Sequence, residues 1–505
     1  MKLNAEPLKR CTPEEVGLSS KAVLELVRKL ESFGHEIHGL MISRHGQVVA
    51  EGWWAPYSPD IPHSCHSLGK SYTCTAVGIA CTEGLLSPED RMIDLFQEEI
   101  ERLGVTPHPL FEKIRVRDVM CMGSGMERMP PFDEEWMKNF LCEPIPYEPG
   151  THFYYNTVGS CMLGALVEKL SGEDLKSYLK SRLFAHIGID AERFIWMKFK
   201  DGKCAEPGVC ATTEDNLRLG LFYLNNGFAD GRQIIDPKWL KEATSVQIAT
   251  SSPSPEASCG YGWQLWRCSV PGSYRFDGGQ GQLSIIAPNE DMVIAIHQGG
   301  RDPKGCDGVT ASVMDFLRGV SDGRSLATED SFTPELASYM QSRRIPAYGH
   351  GPLTSAELAP WLGNYCITEG NPNLWVEVVP FDEDFFHLFY QPGSDVQIHQ
   401  LTLEMAGEHL MMRLNNQTNL LVSLDGEYHV YNDSYGVLPE LHTTMANAHI
   451  DEDGALSIRT RWLNGWFNST LRIQLTQEGV SLTVIKDMLH ENLPPVVYHA
   501  KATKA

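Results

Sequence analysis

The 505-residue chain has no apolar run approaching the roughly 20 residues that a membrane-spanning helix needs. Its opening residues, Met1-Lys2-Leu3-Asn4-Ala5-Glu6, hold no apolar signal core, so a cytoplasmic location is expected. Positive charge is scarce: 42 Lys and Arg stand against 65 Asp and Glu, a net charge of −23. Such a surface is poorly suited to displacing counterions from a nucleic acid or to sitting on an anionic membrane, so neither partner is expected. The 13 cysteines, an odd number spread from Cys11 to Cys366, lack paired zinc-ribbon spacing. Cys65, Cys74, Cys81, Cys121, Cys161 and Cys210 mostly lie among apolar or small residues and read as reduced, buried side chains. His63-Ser64-Cys65-His66 is not followed by a third and fourth ligand cluster, so no metal is expected. Internal repeats and low-complexity segments are absent.

The composition that remains is 42% hydrophobic and 21% charged, that of a folded globular protein. The length exceeds one ordinary core, which implies two or three domains. Residues 13–33 read as a helix, with Val23, Leu24, Leu26, Val27 and Leu30 at helical spacing. His38 to Trp54 reads as two strands around a turn at His45-Gly46. Helical and loop segments dominate from Ser67 to about Leu183. Strands return at Tyr261–Trp266, Gln282–Ala287 and Met292–His297, and Val309–Leu317 reads as a closing helix. Strands at both ends with helices between them predict a sheet assembled from distant segments, carrying a helical insert.

A polar stretch rich in Ser, Glu, Arg and Pro follows. The expected division is 1–325 as a first domain, 326–352 as a linker and 353–505 as an all-β domain. In the last part, alternating segments such as Leu374–Val379, Leu456–Trp462 and Val480–Val484 are separated by Asp-Gly, Asn-Gly and Glu-Gly turns. That pattern predicts an antiparallel barrel or sandwich.

Ser67-Leu68-Gly69-Lys70 opens an apolar helical run that extends to Ala80 and stops near Gly84. A serine hydroxyl is a poor nucleophile at neutral pH and needs a base beside it. Residues three apart share a helix face, which sets Lys70 against Ser67. The helix N-terminus adds free N–H groups and a positive dipole end. Ser-x-x-Lys is a short pattern, expected about once by chance in a chain of this length. A second copy stands at Ser177-Tyr178-Leu179-Lys180, inside a polar, Leu-spaced segment that reads as the solvent face of an ordinary helix. Ser67 differs in following an extended segment and a Pro-rich loop.

Other segments support Ser67. Pro149-Gly150-Thr151-His152-Phe153-Tyr154-Tyr155-Asn156 contains Tyr-x-Asn as Tyr154 and Asn156. A tyrosine beside a lysine ammonium can move protons, and an asparagine can orient the lysine. Tyr223-Leu224-Asn225 matches the same short pattern and reads as a helix end. Met122-Gly123-Ser124-Gly125 is a tight loop. Gly278-Gly279-Gln280-Gly281 opens a strand where small residues admit close approach of a ligand.

In this order, with His38–Gly46, Ala211-Thr212-Thr213-Glu214-Asp215 and Tyr261-Gly262-Trp263, the chain resembles the class C β-lactamase-like serine hydrolases over roughly residues 12–320. That group also includes D-specific peptidases, nylon-oligomer hydrolases and β-lactamase-fold esterases. The resemblance implies a mixed α/β catalytic domain, an antiparallel sheet flanked by helices with a helical subdomain. It implies Ser67 as acyl-enzyme nucleophile, Lys70 as its base and Tyr154 as acid/base for the leaving group. Asn156 would orient, and the backbone N–H groups of Ser67 and Gln280 would form the oxyanion hole. Tyr155 is assigned to packing. No cofactor is implied.

One departure stands out. Where the resemblance implies a Lys or His, then a small residue and Gly, this chain has Asp277-Gly278-Gly279. The usual cation binds a substrate carboxylate, and an aspartate would repel it. The expected substrate is therefore a neutral or cationic ester or amide, a small molecule or short peptide, rather than a β-lactam. The alternative is that Asp277 faces solvent or caps a turn. An acyltransferase using the same acyl-enzyme, and a non-catalytic scaffold, are the competing functions. Gly319-Val320-Ser321-Asp322-Gly323 matches a Gly-x-Ser-x-Gly elbow but has a helix before it instead of a strand. The β domain, entered at Trp361–Tyr365, is read either as a cover for the cleft or as a packing surface of a homo-oligomer.

Overall fold

The computed structural model describes residues 3–300, 303–326, 332–349, 352–374, 397–432, 443–465, 468–486 and 495–505. Two compact units result. The first takes Met1–Trp53 and Cys65–Arg343, the second Trp54–Ser64 and Arg344–Ala505.

The first unit is built on a six-stranded antiparallel sheet. Before it, the expected helix 13–33 divides in two: a 3-10 turn at Pro13–Val16, a left-handed Gly17 (φ 75°), then α1 (Ser20–Glu31). Ser19 caps α1 by accepting from the Ala22 amide, and the predicted Val23, Leu24, Leu26, Val27 and Leu30 are all buried. Strands β1 (Glu36–Arg44) and β2 (Gln47–Trp53) form a hairpin whose turn, His45-Gly46, has positive φ at both residues.

Helix α2 (Gly69–Thr82) is buried from Gly69 to Ala80, as an all-round apolar helix should be. It packs on α3 (Thr157–Ser171), and both pack against strand β3 (Cys204–Ala211), which is buried at all eight residues. Helix α4 (Thr213–Leu224) follows at once, capped by Thr212, and ends at Tyr223-Leu224-Asn225.

The sheet is completed by β4 (Trp266–Arg267), β5 (Tyr274–Gly278), β6 (Gln282–Ala287) and β7 (Met292–Gly299), in the order β2-β1-β7-β6-β5-β4. The hairpin from the chain start thus pairs with the last strand, Leu40 opposite Ile296, so the sheet is joined from distant segments. The expected strand Tyr261–Trp266 is realised only at β4. Gln264 there adopts φ 55°, and its amide bonds the Met120 carbonyl instead of a ladder. Helix α4 lies on β6 and β7, while α1 packs on β1 and on α5 (Pro303–Asp322). Ser321 sits near the end of α5, a helical setting unlike a nucleophile elbow. The stretch read as a linker carries α6 (Thr333–Gln341), which belongs to this first unit.

The second unit is antiparallel β. Its described strands are β8 (Gly363–Gly370), β9 (Gln400–Ala406), β10 (His409–Leu414), β11 (Thr418–Val422), β12 (Val430–Asn432), β13 (Thr443–Ile450), β14 (Leu456–Trp462), β15 (Asn468–Leu475), β16 (Gly479–Lys486) and β17 (Val496–Lys504). They run in the order β11-β10-β9-β8-β17-β16-β15-β14-β13-β12. Ser423, just past β11, bonds to Ala446 and Ala448 on β13, so the sheet curls back on itself as a nearly closed barrel. β16 alternates buried and half-buried side chains along its length, the period-2 pattern read from its sequence. Of the expected strand 374–379, only Leu374 falls among the described residues. The segment read as a Pro-rich loop is an integral part of this unit. Asn464 donates to the Pro62 carbonyl at 2.9 Å, its own carbonyl accepts from the Ser64 amide at 2.6 Å, and the Ile345 amide bonds Ala55.

Candidate active site

Ser67 stands in a 3-10 turn, His66–Leu68, at the entry to α2. Cys65 and His66 before it and Leu68 to Lys70 after it are buried, and Ser67 is the partly exposed member. The turn is sharpened by His66 at φ 48°, a costly conformation for a side chain of that size. Two close approaches fix it. A Cβ on Gly278 would lie 2.1 Å from the Cys65 carbonyl oxygen, so the end of β5 touches the nucleophile turn. A Cβ on Gly69 would lie 2.3 Å from the Glu206 carbonyl oxygen, so α2 is pressed on β3. Neither position accepts a side chain.

Lys70, one helical turn on, is 1% exposed. Its Nζ donates to Ser67 Oγ at 3.0 Å, to Thr157 Oγ1 at 3.1 Å and to Glu206 Oε2 at 2.7 Å. Burial works against the ammonium, the Glu206 carboxylate works for it, and the net direction is upward. Burial pushes Glu206 itself up, to about 7, against the pull of Lys70. His66, buried beside Lys70, is held down at about 4 and stays neutral. The second Ser-x-x-Lys pair is different: Ser177 and Lys180 are both exposed.

The tyrosine brought to this cluster is Tyr155. Its ring lies 4.9 Å from Lys70 Nζ, and the Ser67 hydroxyl is near enough to pull its pKa down. Burial raises its pKa while Lys70 and Ser67 pull it down. Tyr154 reaches the cluster by neither contact; its amide bonds the Met122 carbonyl. The Met122–Gly125 loop clasps the segment at several points: Gly150 N bonds Gly123 O at 2.7 Å, and Asn156 N meets Met122 Sδ at 3.2 Å. Asn156 does not orient Lys70. Its carbonyl oxygen caps α3 by accepting from the Gly159 amide, and its amide nitrogen faces Met126 Sδ. Thr157, one residue on, holds the lysine instead. The spacing that meets Lys70 is therefore Tyr155-x-Thr157, shifted by one from the Tyr-x-Asn read in the sequence.

Beside Tyr155 lies an aromatic group. Trp266 stacks on it at 5.9 Å, Tyr261 meets it edge-on at 6.3 Å, and Phe153 packs on both of those rings. Asp277 ends β5 with 27% of its side chain exposed, and Arg275 Nε donates to it at 2.6 Å. Arg275 is buried, and it also donates to the Glu256 carbonyl at 3.0 Å. The Asp277 carboxylate is thus matched by an internal cation and is not the isolated anion that the sequence suggested. Gly279 overlies His66, and Gln280, at φ 60°, follows in the turn between β5 and β6. Among the described residues there is no group of three or more His, Cys, Asp or Glu placed to hold a metal. No helix there is long and apolar enough to cross a membrane.

The sequence reading missed Thr157 and Glu206 and set Tyr155 aside. Glu206 had a signal: it is a lone acid in the otherwise uncharged segment Cys204–Ala211.

The antiparallel sheet with its helical insert is the fold of the β-lactamase-like serine hydrolases. The profile of the β-lactamase family matches residues 28–312, more than half of the chain, and the chain belongs to that family. It is 25% identical over 292 residues to the 6-aminohexanoate-dimer hydrolase of Paenarthrobacter ureafaciens, covering 52% of this chain and 72% of the relative. Among solved structures it is similar to a penicillin-binding protein homologue from Caulobacter crescentus (TM-score 0.48, 15% identity, 60% of this chain and 99% of that one). It is also similar to the octameric penicillin-binding protein homologue from Pyrococcus abyssi (TM-score 0.46, 13% identity, 95% and 99%).

Proposed function

We propose that the chain cleaves an ester or amide through a covalent acyl-serine on Ser67. The observation that carries this is the 3.0 Å contact from Lys70 Nζ to Ser67 Oγ, with the lysine otherwise sealed from water. Ser67 Oγ attacks the carbonyl carbon and its proton passes to Lys70 in its neutral amine form. The backbone N–H groups of Ser67 and Gln280 receive the oxyanion, an interaction worth about 10²–10³ in rate per donor. Tyr155, its ring over Lys70 and its hydroxyl near Ser67, passes a proton to the leaving group. Water then resolves the acyl-enzyme by the reverse steps.

The aromatic group around Tyr155 favours an apolar portion of substrate. No unpaired cation stands at residue 277 to fix a carboxylate, so a neutral ester or amide, a small molecule or short peptide, fits better than a β-lactam. The relative named as a 6-aminohexanoate-dimer hydrolase accords with an amide.

Hydrolysis of a short-chain p-nitrophenyl ester by wild type and Ser67→Ala tests the reading. Turnover by wild type with a loss of about 10³ or more in the variant supports it. Equal rates for the two proteins would overturn it. Adding an alcohol acceptor and measuring ester product against free acid separates acyl transfer from hydrolysis.

A further inference from the structure

Glu206 is a carboxylate where carboxylates are rare: 1% exposed, in the fully buried strand β3. Its Oε2 accepts from Lys70 at 2.7 Å. Its Oε1 is shielded from solvent and has no hydrogen-bond partner among the described residues. The carboxylate cannot drift away, because its own backbone is pressed on Gly69, one residue before Lys70. A buried acid costs stability unless a partner holds it, and here the partner is the group beside the nucleophile.

A lysine held as an ammonium has no lone pair with which to take the Ser67 proton. We propose that Glu206 is the positioning residue that resolves this, so that the Lys70–Glu206 pair acts as the base in place of the lysine alone. The inference rests on the reading of Ser67 as nucleophile. Before attack, one proton moves from Lys70 Nζ to Glu206 Oε2, leaving an amine and a carboxylic acid. Burial supports this neutral form, because it removes two charges from a site shielded from solvent. As the bond from Ser67 Oγ to the carbonyl carbon forms, the hydroxyl proton passes to Nζ and the carbonyl π pair becomes the oxyanion. On collapse the bond to the leaving group breaks. Tyr155 gives that group a proton and is reprotonated by Lys70, and Glu206 returns its proton to Nζ. Charge and protons balance with no outside reagent.

The ionised and neutral forms of the pair carry the same number of protons, so their ratio does not change with pH. The base is lost only when the pair takes up a second proton on Glu206. The titratable groups facing the pair are Tyr155, Cys161 and Tyr261, and His66 faces Lys70. Burial holds the carboxyl of Glu206 near 7, so the acid limb of activity belongs just below neutrality.

The test compares wild type, Glu206→Gln, Glu206→Asp and Ser67→Ala, using the pH profile of kcat/KM for a p-nitrophenyl ester. Circular dichroism checks the fold of each protein. Glu206→Gln keeps an acceptor oxygen but cannot hold the proton. The expected result is a loss of about 10² in kcat, an acid limb that moves because the lysine now titrates alone, and partial recovery of limb and rate in Glu206→Asp. A folded Glu206→Gln protein whose profile has the wild-type shape would overturn the inference, whatever its rate. On wild type alone, the rate of labelling by a fluorophosphonate should fall below about pH 7, the value set by Glu206. A rate flat to pH 5 would also overturn it, even if the variants do not fold. An active Ser67→Ala protein would sink the nucleophile reading itself, a separate failure.

Discussion

Gly69 lies so close to Glu206 that a Cβ at residue 69 would come within 2.3 Å of the Glu206 carbonyl oxygen and 3.3 Å of its Oε1. The contact joins the nucleophile helix to the buried acid and sets where Lys70 stands. Gly69→Ala should therefore cost about 1–3 kcal/mol, as overpacking of a tight core does. It should also lower kcat by at least about tenfold, since small displacements of reacting groups are felt strongly. Urea denaturation together with ester turnover reads both. A variant with wild-type stability and rate would show that β3 yields freely at this point.

The two adjacent tyrosines should behave differently. Tyr155→Phe removes the hydroxyl beside the Lys70 cluster and should lower kcat by about 10²–10⁴ for an anilide, whose leaving group needs a proton. The same acyl group on p-nitrophenol should lose less. Tyr154→Phe should stay within about threefold of wild type on both. Parallel assays of ester and anilide check this, and equal losses in the two variants would refute the assignment.

Asn156 and Thr157 divide stability from chemistry. Asn156→Ala removes a helix cap and should cost about 1 kcal/mol with kcat nearly kept. Thr157→Val removes the hydroxyl that accepts from Lys70 and should lower kcat with a smaller effect on stability. Denaturation midpoints and initial rates for both variants are the measurement.

Asp277→Asn leaves Arg275 buried beside a neutral partner. The cost should be about 1–2 kcal/mol, below that of breaking a fully buried pair because Asp277 is partly exposed. Wild type should turn over neutral esters faster than matched carboxylate-bearing ones, and Asp277→Lys should narrow that gap. Equal turnover of the two substrate classes by both proteins would remove Asp277 from the specificity argument.

Two buried histidines make the first unit sensitive to acid. Burial holds His66 at about 4 and His297 at about 3, against an ordinary value of 6.5. Between 6.5 and those values the unfolded chain binds protons that the folded chain refuses. The histidines' share of stability is therefore lost as pH falls below about 6.5, by up to about 1.4 kcal/mol per pH unit each, while the buried carboxyls of Glu206 and Asp215, raised to about 7 and about 6, gain stability over the same range. Urea midpoints at pH 7 and pH 5 test this. Relative to wild type, His66→Asn should keep more of its stability at pH 5, and an unchanged difference between the two pH values would contradict the assignment.

Much of the fold was legible from local pattern. The hairpin turn at His45-Gly46, the strands Gln282–Ala287 and Leu456–Trp462, and the core face of α1 follow from periodicity and turn chemistry. The failures share a cause. Gly17 cuts the first helix because a left-handed residue relieves the chain there. The Pro-rich stretch before Ser67 looked like a loop because its hydrogen-bond partners lie far off in sequence, at Asn464 for Pro62 and Ser64 and at Ile345 for Ala55.

The sequence by itself determined that a serine would stand at a helix entry with a lysine one turn on, because helical spacing forces that pairing wherever the helix goes. It also fixed the family's order of segments and the change in period that marks the β unit. Only the tertiary structure decided which tyrosine meets the lysine, that Thr157 rather than Asn156 holds it, and that Glu206 lies behind it. Those contacts bring together residues 87 and 136 positions apart. A one-residue shift in a loop, invisible to any local rule, changes which side chain faces the site.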